Sequence, residues 1–107
     1  MTDNIVILST CGSEEEGERI ARALLAERLA ACVNVLPGVR SFYRWKGEVE
    51  DAAECLLVIK SSRPLLGALR NAIRKSHSYE VPEVVALPII DGAPDYLAWL
   101  HESLQPE

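Results

Sequence analysis

The chain has 107 residues, 49% of them hydrophobic and 25% charged, a composition that fits one folded globular domain and excludes a disordered segment. Its formal charge is −5, from 16 acidic and 11 basic residues, so its surface repels phosphate backbones and nucleic acid is excluded as a partner.

Met1-Thr2-Asp3-Asn4 leads into Ile5-Val6-Ile7-Leu8, β-branched and apolar without alternation, which reads as a strand covered on both faces. No basic stretch precedes this run, and it is too short for a signal-peptide core or a membrane span. A cytoplasmic domain filling residues 1–107 is therefore expected, with no membrane contact. Cys11, Cys32 and Cys55 fit that compartment, being odd in number and without a CxxC pair. Gly12 ends the strand, and Ser13-Glu14-Glu15-Glu16 has capping-box spacing: Ser13 accepts from the Glu16 amide while Glu16 reaches back. Acidic residues at 14, 15, 16 and 18 suit the positive end of the helix that follows. It runs to about Ala30, with Ile20 and Leu24 facing inward.

Ala31 to Trp45 reads as extended, with a bulge or kink at Pro37-Gly38. Lys46-Gly47 is a two-residue hairpin turn, and Val49 to Lys60 returns, Cys55 to Ile59 forming its buried half. Ser62 is placed to cap the next helix, with Pro64 in its first turn. Leu65, Leu69, Ala72 and Ile73 keep to one side of that helix, which ends near Ser76. Pro82 opens a fourth strand, Val84 to Ile90. Asp91-Gly92 turns the chain, and Pro94 starts a final helix bearing Tyr96, Trp99, Leu100 and Leu104. The order β-α-β-β-α-β plus a terminal helix predicts an α+β, ferredoxin-like fold with a long hairpin between the second and third strands. Right-handed crossovers put the first and third strands in the middle of the sheet, with both main helices on one face.

The hairpin argues for partners. Each arm, at 12–15 residues, reaches about 40–50 Å, whereas a helix of 14 residues covers only about 21 Å. The outer ribbon carries Phe42, Tyr43 and Trp45, with Val39 and Val49 nearby, and left bare it is an exposed apolar edge. The sheet face away from the helices poses the same problem, unless the terminal helix folds back over it. Symmetric self-association is the usual remedy for both.

His77-Ser78-Tyr79-Glu80-Val81-Pro82-Glu83 is the densest polar stretch, in a loop between a helix end and a buried strand, where function tends to sit. His77 has the chemistry of a metal ligand or proton shuttle, and Tyr79, Glu80 and Glu83 offer a phenol and carboxylates. Equally, His77 balances the helix C-terminus while Tyr79 and Pro82 pack the strand entry. Cys32 and Cys55 read as small buried hydrophobes. Cys11 lies at a strand end near a helix N-terminus, where a lowered thiol pKa makes a soft-metal ligand; the plainer reading is core filler. The sequence contains no nucleophile elbow, Walker loop, GxGxxG or HExxH. The turn Ser9-Thr10-Cys11-Gly12-Ser13 also lacks the arginine of an acylphosphatase phosphate cradle, so no enzymatic activity is expected.

Five segments carry a resemblance: Ala30-Ala31-Cys32-Val33-Asn34, Ser41-Phe42-Tyr43-Arg44-Trp45-Lys46-Gly47, Glu54 to Lys60, His77 to Glu83, and Tyr96-Leu97-Ala98-Trp99. In this order and spacing the chain resembles the CutA divalent-cation tolerance family over nearly its whole length. The resemblance implies a ferredoxin-like fold and a tight, non-enzymatic, cytoplasmic homotrimer whose hairpins wrap neighbouring subunits, with Phe42, Tyr43, Trp45 and Trp99 at the interface. It also implies a link to tolerance of copper and other divalent cations. The family trimer is similar to that of the PII signalling proteins, which leaves open a sensor binding a small anion or nucleotide through Arg44, Lys60 or Lys75, or a scaffold for a protein partner. The family's copper ligands are attributed to a thiol late in the first strand and to paired histidines. Those positions here are Ser9, Ser76 and His77, with Cys11 lying two residues, about 6–7 Å, beyond Ser9. The expected ligands for copper or another divalent cation are therefore His77, Cys11 and Glu83.

Overall fold

The computed structural model describes residues 3–106, so positions 1, 2 and 107 of the one-domain reading lie outside it. The elements follow the order β1 (Asn4–Cys11), α1 (Glu14–Ala26), β2 (Cys32–Trp45), β3 (Glu48–Ser62), a 3-10 turn (Arg63–Leu65), α2 (Leu66–Ser76), β4 (Val85–Pro88) and α3 (Pro94–Ser103). The four strands form one antiparallel sheet in the order β2-β3-β1-β4, with β1 and β3 central as the crossover rule requires.

The pleat divides the sheet into unlike faces. On the helix side Ile5, Ile7, Leu57 and Ile59 are fully buried beneath Ile20 and Leu24 of α1 and Leu69 and Ile73 of α2. Gly17 allows α1 to lie this close, since a Cβ there falls 3.2 Å from both Cys11 Sγ and Val35 Cγ1. On the other side Val6, Leu8, Leu56 and Val58 are only half-buried, and Leu36, Val85 and Leu87 are exposed. The terminal helix does not cover that face. It docks at the sheet end opposite the hairpin, sending Leu100 and Leu104 into the helix-side core and bonding Gln105 N–H to the Arg28 carbonyl at 2.9 Å.

Three boundaries differ from the sequence expectation. α1 ends at Ala26 because Arg28 turns left-handed (φ 54°). Its N–H then reaches the Leu25 carbonyl, and that of Leu29 the Leu24 carbonyl, the Schellman pattern with arginine where glycine is usual. Ser62 precedes a 3-10 turn and its side chain makes no capping bond. β4 is shorter than Val84–Ile90, regular strand pairing running only from Val85 to Pro88, although Ile89 still donates its N–H to the Asn4 carbonyl at 3.0 Å.

The hairpin follows expectation. Lys46 and Gly47 both have positive φ (50° and 83°), as a type I′ turn requires, and the register slips between Leu36 and Val39 at Pro37-Gly38. The arms contain 14 and 15 residues, and the molecule measures 44 × 25 × 22 Å. Its outer ribbon stays bare, with Phe42 64% and Val49 65% exposed.

Ser9 is an exception within the core. Its side chain is fully buried on the helix side of β1, and Oγ is the one buried side-chain N or O atom without a hydrogen-bond partner among the described residues. Removing an unsatisfied hydroxyl removes a desolvation cost. Ser9→Ala is therefore expected to raise stability by about 1 kcal/mol, read as a higher urea midpoint at unchanged slope.

Candidate functional site

The 77–83 loop is held from behind by α1. Ser13 Oγ accepts the Glu16 N–H at 3.1 Å, as the capping-box spacing implies. Glu16 reaches back past the cap, Oε1 accepting the Gly12 N–H at 3.0 Å. Its other oxygen accepts the Ser78 N–H at 2.7 Å and so clamps the start of the loop. Burial pushes the Glu16 carboxyl up, but the N–H groups of Gly12 and Ser78, together with the Ser78 hydroxyl, pull it below the ordinary carboxylate range.

His77 lies beside this clamp with its side chain fully buried. Nε2 donates to the Thr10 carbonyl at 2.6 Å, and Nδ1 accepts the Tyr79 N–H at 3.0 Å. A carbonyl only accepts and an amide N–H only donates, so these partners fix the neutral tautomer with its proton on Nε2. Both nitrogens are thus engaged inside one subunit, tying the loop to the end of β1.

Cys11 points the other way, into the core, where Sγ donates to the Ser13 carbonyl at 3.4 Å. Desolvation pushes its thiol up to about 11, the reverse of the expected lowering by a helix N-terminus. The apolar packing around Sγ excludes the water a thiolate needs, and Cys55, Glu16 and Glu54 add to the rise.

Beyond His77 the loop crosses to the hairpin. Tyr79 Oη donates to Glu54 Oε2 at 2.6 Å; burial first, and then this bond, hold the phenol above the usual tyrosine range. Glu54 is only 9% exposed. Around this pair opens a cleft of about 560 Å³, with Tyr43 and Trp45 of the hairpin on one side and Glu80 and Glu83 of the loop on the other. Among the described residues no lysine, arginine or histidine lines it.

Of the residues singled out from sequence, Glu83 therefore faces the cleft with Phe42, Tyr43 and Trp45, while His77 supports the loop and Cys11 sits in the core. Trp99 is elsewhere, on α3, paired with Tyr96 at 5.5 Å between rings. Among the described residues no three His, Cys, Asp or Glu side chains gather closely enough to hold a metal ion. Sequence reasoning did not single out Glu54. The available signal was an acid directly preceding the apolar run Cys55-Leu56-Leu57-Val58-Ile59, since a buried carboxylate needs a partner.

The family model described as CutA1 divalent ion tolerance protein matches residues 5–103. The chain belongs to the CutA1 family. It is 49% identical to the Divalent-cation tolerance protein CutA of Thermus thermophilus over 92% of this chain and 95% of that protein. It is 47% identical to Protein CutA 1, chloroplastic, of Oryza sativa over 94% of this chain but only 56% of that longer protein. The crystal structure of CutA1 from Oryza sativa superposes with a TM-score of 0.94 at 45% identity, covering 97% of this chain and 95% of that one. The family ties the chain to divalent-cation tolerance, and its known structures share the ferredoxin-like α+β architecture seen here.

Proposed function

We infer that the chain acts as one domain in a cytoplasmic homotrimer that serves divalent-cation tolerance without catalysing a reaction. The observation that carries this reading is the hairpin ribbon, whose aromatics stand uncovered beyond the helices while Leu36, Val85 and Leu87 on the sheet face away from the helices are exposed as well. Burying a ribbon side chain such as Phe42 in a neighbouring copy contributes about 1.5–3 kcal/mol. Sedimentation velocity is expected to give three times the subunit mass of 11.8 kDa. Phe42→Glu should lower that mass while the circular dichroism of the helices persists; a monomeric wild type overturns the reading.

In this reading the cation meets the cleft. Its carboxylates, unaccompanied by any basic side chain among the described residues, favour a cation over the small anion of the sensor alternative. Glu83, Glu54 and Glu80 are hard oxygen donors and a poor match for copper(I). His77 and Cys11 serve as the supports behind them.

A further inference from the structure

The outer face of α2 is charged against the bias of the whole molecule. The chain carries −5 overall, yet between Glu54 and Glu80 it has no acidic residue. Arg63, Arg70, Arg74 and Lys75 stand exposed on α2 and the turn before it. Among the described residues none of these four side chains makes an ion pair or a hydrogen bond. Off α2, by contrast, Arg19, Arg22, Arg28 and Arg40 each reach a carbonyl or carboxylate, Arg44 on the hairpin ribbon being the exception.

The arrangement works against the helix. Arg74 and Lys75 suit its negative C-terminal end, but Arg63 stands at the positive N-terminal end, where α1 carries Glu14, Glu15 and Glu16. Arg70 and Arg74, four residues apart, repel one another. Gly67, between Arg63 and Arg70, lowers helix propensity, although a Cβ there meets nothing within 4 Å. Positions 63, 67, 70 and 74 share one side of the helix, turned away from Leu69 and Ile73, which enter the core. No contact within the subunit offsets these departures, and such departures mark functional surfaces.

Assembly leaves the stripe open. It belongs to the helix layer, whereas the trimer inferred above covers the hairpin and the opposite face of the sheet. We propose that the stripe docks an acidic segment of a partner protein, with carboxylates meeting Arg63, Arg70 and Arg74 over about 17 Å and the segment's backbone lying close over Gly67. Guanidinium forks pair bidentately with carboxylates. The acidic remainder of the chain disfavours a broad anionic surface such as a membrane or a duplex, while a single segment meets the stripe alone.

Fluorescence anisotropy of the full chain with a labelled alanine-rich peptide, bearing glutamates at i, i+4, i+7 and i+11, tests it. Saturable binding that weakens with added salt is expected, the glutamine version of the peptide staying free. Arg63→Gln together with Arg70→Gln should weaken it about tenfold. Gly67→Leu, which finds open space within the subunit, should weaken it about threefold. Arg22→Gln, which breaks only the pair with Glu18, should leave it within about twofold. The stripe is whole in one subunit, so all three variants should keep the wild-type sedimentation mass. No binding by the wild type, or binding that persists in the double arginine variant, overturns the stripe. Equal binding of duplex DNA or of phosphatidylserine vesicles overturns the protein segment in favour of a general anion surface.

Discussion

His77→Ala is expected to lower stability by about 3 kcal/mol while leaving copper affinity within twofold of the wild type. The substitution deletes a fully buried ring that packs 4.6 Å from the Tyr79 ring. It also orphans the Thr10 carbonyl and the Tyr79 N–H, which have the imidazole as partner. Truncating a buried ring costs about 3–5 kcal/mol when nothing fills the space. Relaxation of a loop whose backbone is partly wet brings the figure to the lower end. For a domain of this size the loss moves the melting temperature by about 15 °C. His77→Phe keeps the ring and loses both bonds, so its cost isolates the polar part, about 1–3 kcal/mol. A stable His77→Ala protein that no longer bound copper would show the imidazole to be a ligand and reverse the assignment made here.

The second large effect belongs to Glu16. Its two oxygens each accept a backbone N–H, from Gly12 and from Ser78. Glutamine offers one acceptor oxygen, and its amide nitrogen is turned against the other N–H. Glu16→Gln should therefore cost about 2–3 kcal/mol, the range for hydrogen bonds to a charged group. The pH dependence follows from the lowered carboxyl. The folded state binds this proton more weakly than the unfolded chain, so the clamp's contribution is complete above the ordinary carboxylate pKa, about 4.3. It is lost as pH falls through the lower folded value. Urea midpoints should fall steeply with acid below about pH 4.3 in the wild type and more gently in Glu16→Gln. Parallel acid profiles would contradict this role.

These two residues mark where the sequence was legible and where it was not. The Ser13–Glu16 box, the bulge at Pro37-Gly38 and the Lys46-Gly47 turn are local devices, each written within four residues, and the structure bears them out. The resemblance extended that reading to the family. The cleft is not local. His77 acquires its role from a carbonyl 67 positions away, and Tyr79 from a carboxylate 25 positions away. Spacing cannot say whether a loop histidine turns its nitrogens toward solvent or toward its own backbone. Cys11 misled for a similar reason. The helix N-terminus beside it was visible in sequence, but the side of the pleat it faces was not, and desolvation outweighs the helix terminus there.

The left-handed Arg28 has a consequence for how the molecule opens. An L-residue in that conformation carries about 1–2 kcal/mol of strain, and here the side chain offsets it by reaching the last turn of α3. Its guanidinium donates to the Glu102 carbonyl at 2.8 Å and the Ser103 carbonyl at 3.1 Å. Gln105 returns the connection, its N–H to the Arg28 carbonyl and its side-chain amide to the Glu27 carbonyl. Neither end holds its shape without the other, so the close of α1 and the C-terminal helix form one cooperative unit. In native-state hydrogen exchange the amides of Leu29 and Gln105, far apart in sequence, should therefore share a single opening free energy. Arg28→Gly relaxes the backbone but cuts that tie, and should let Gln105 exchange ahead of Leu29.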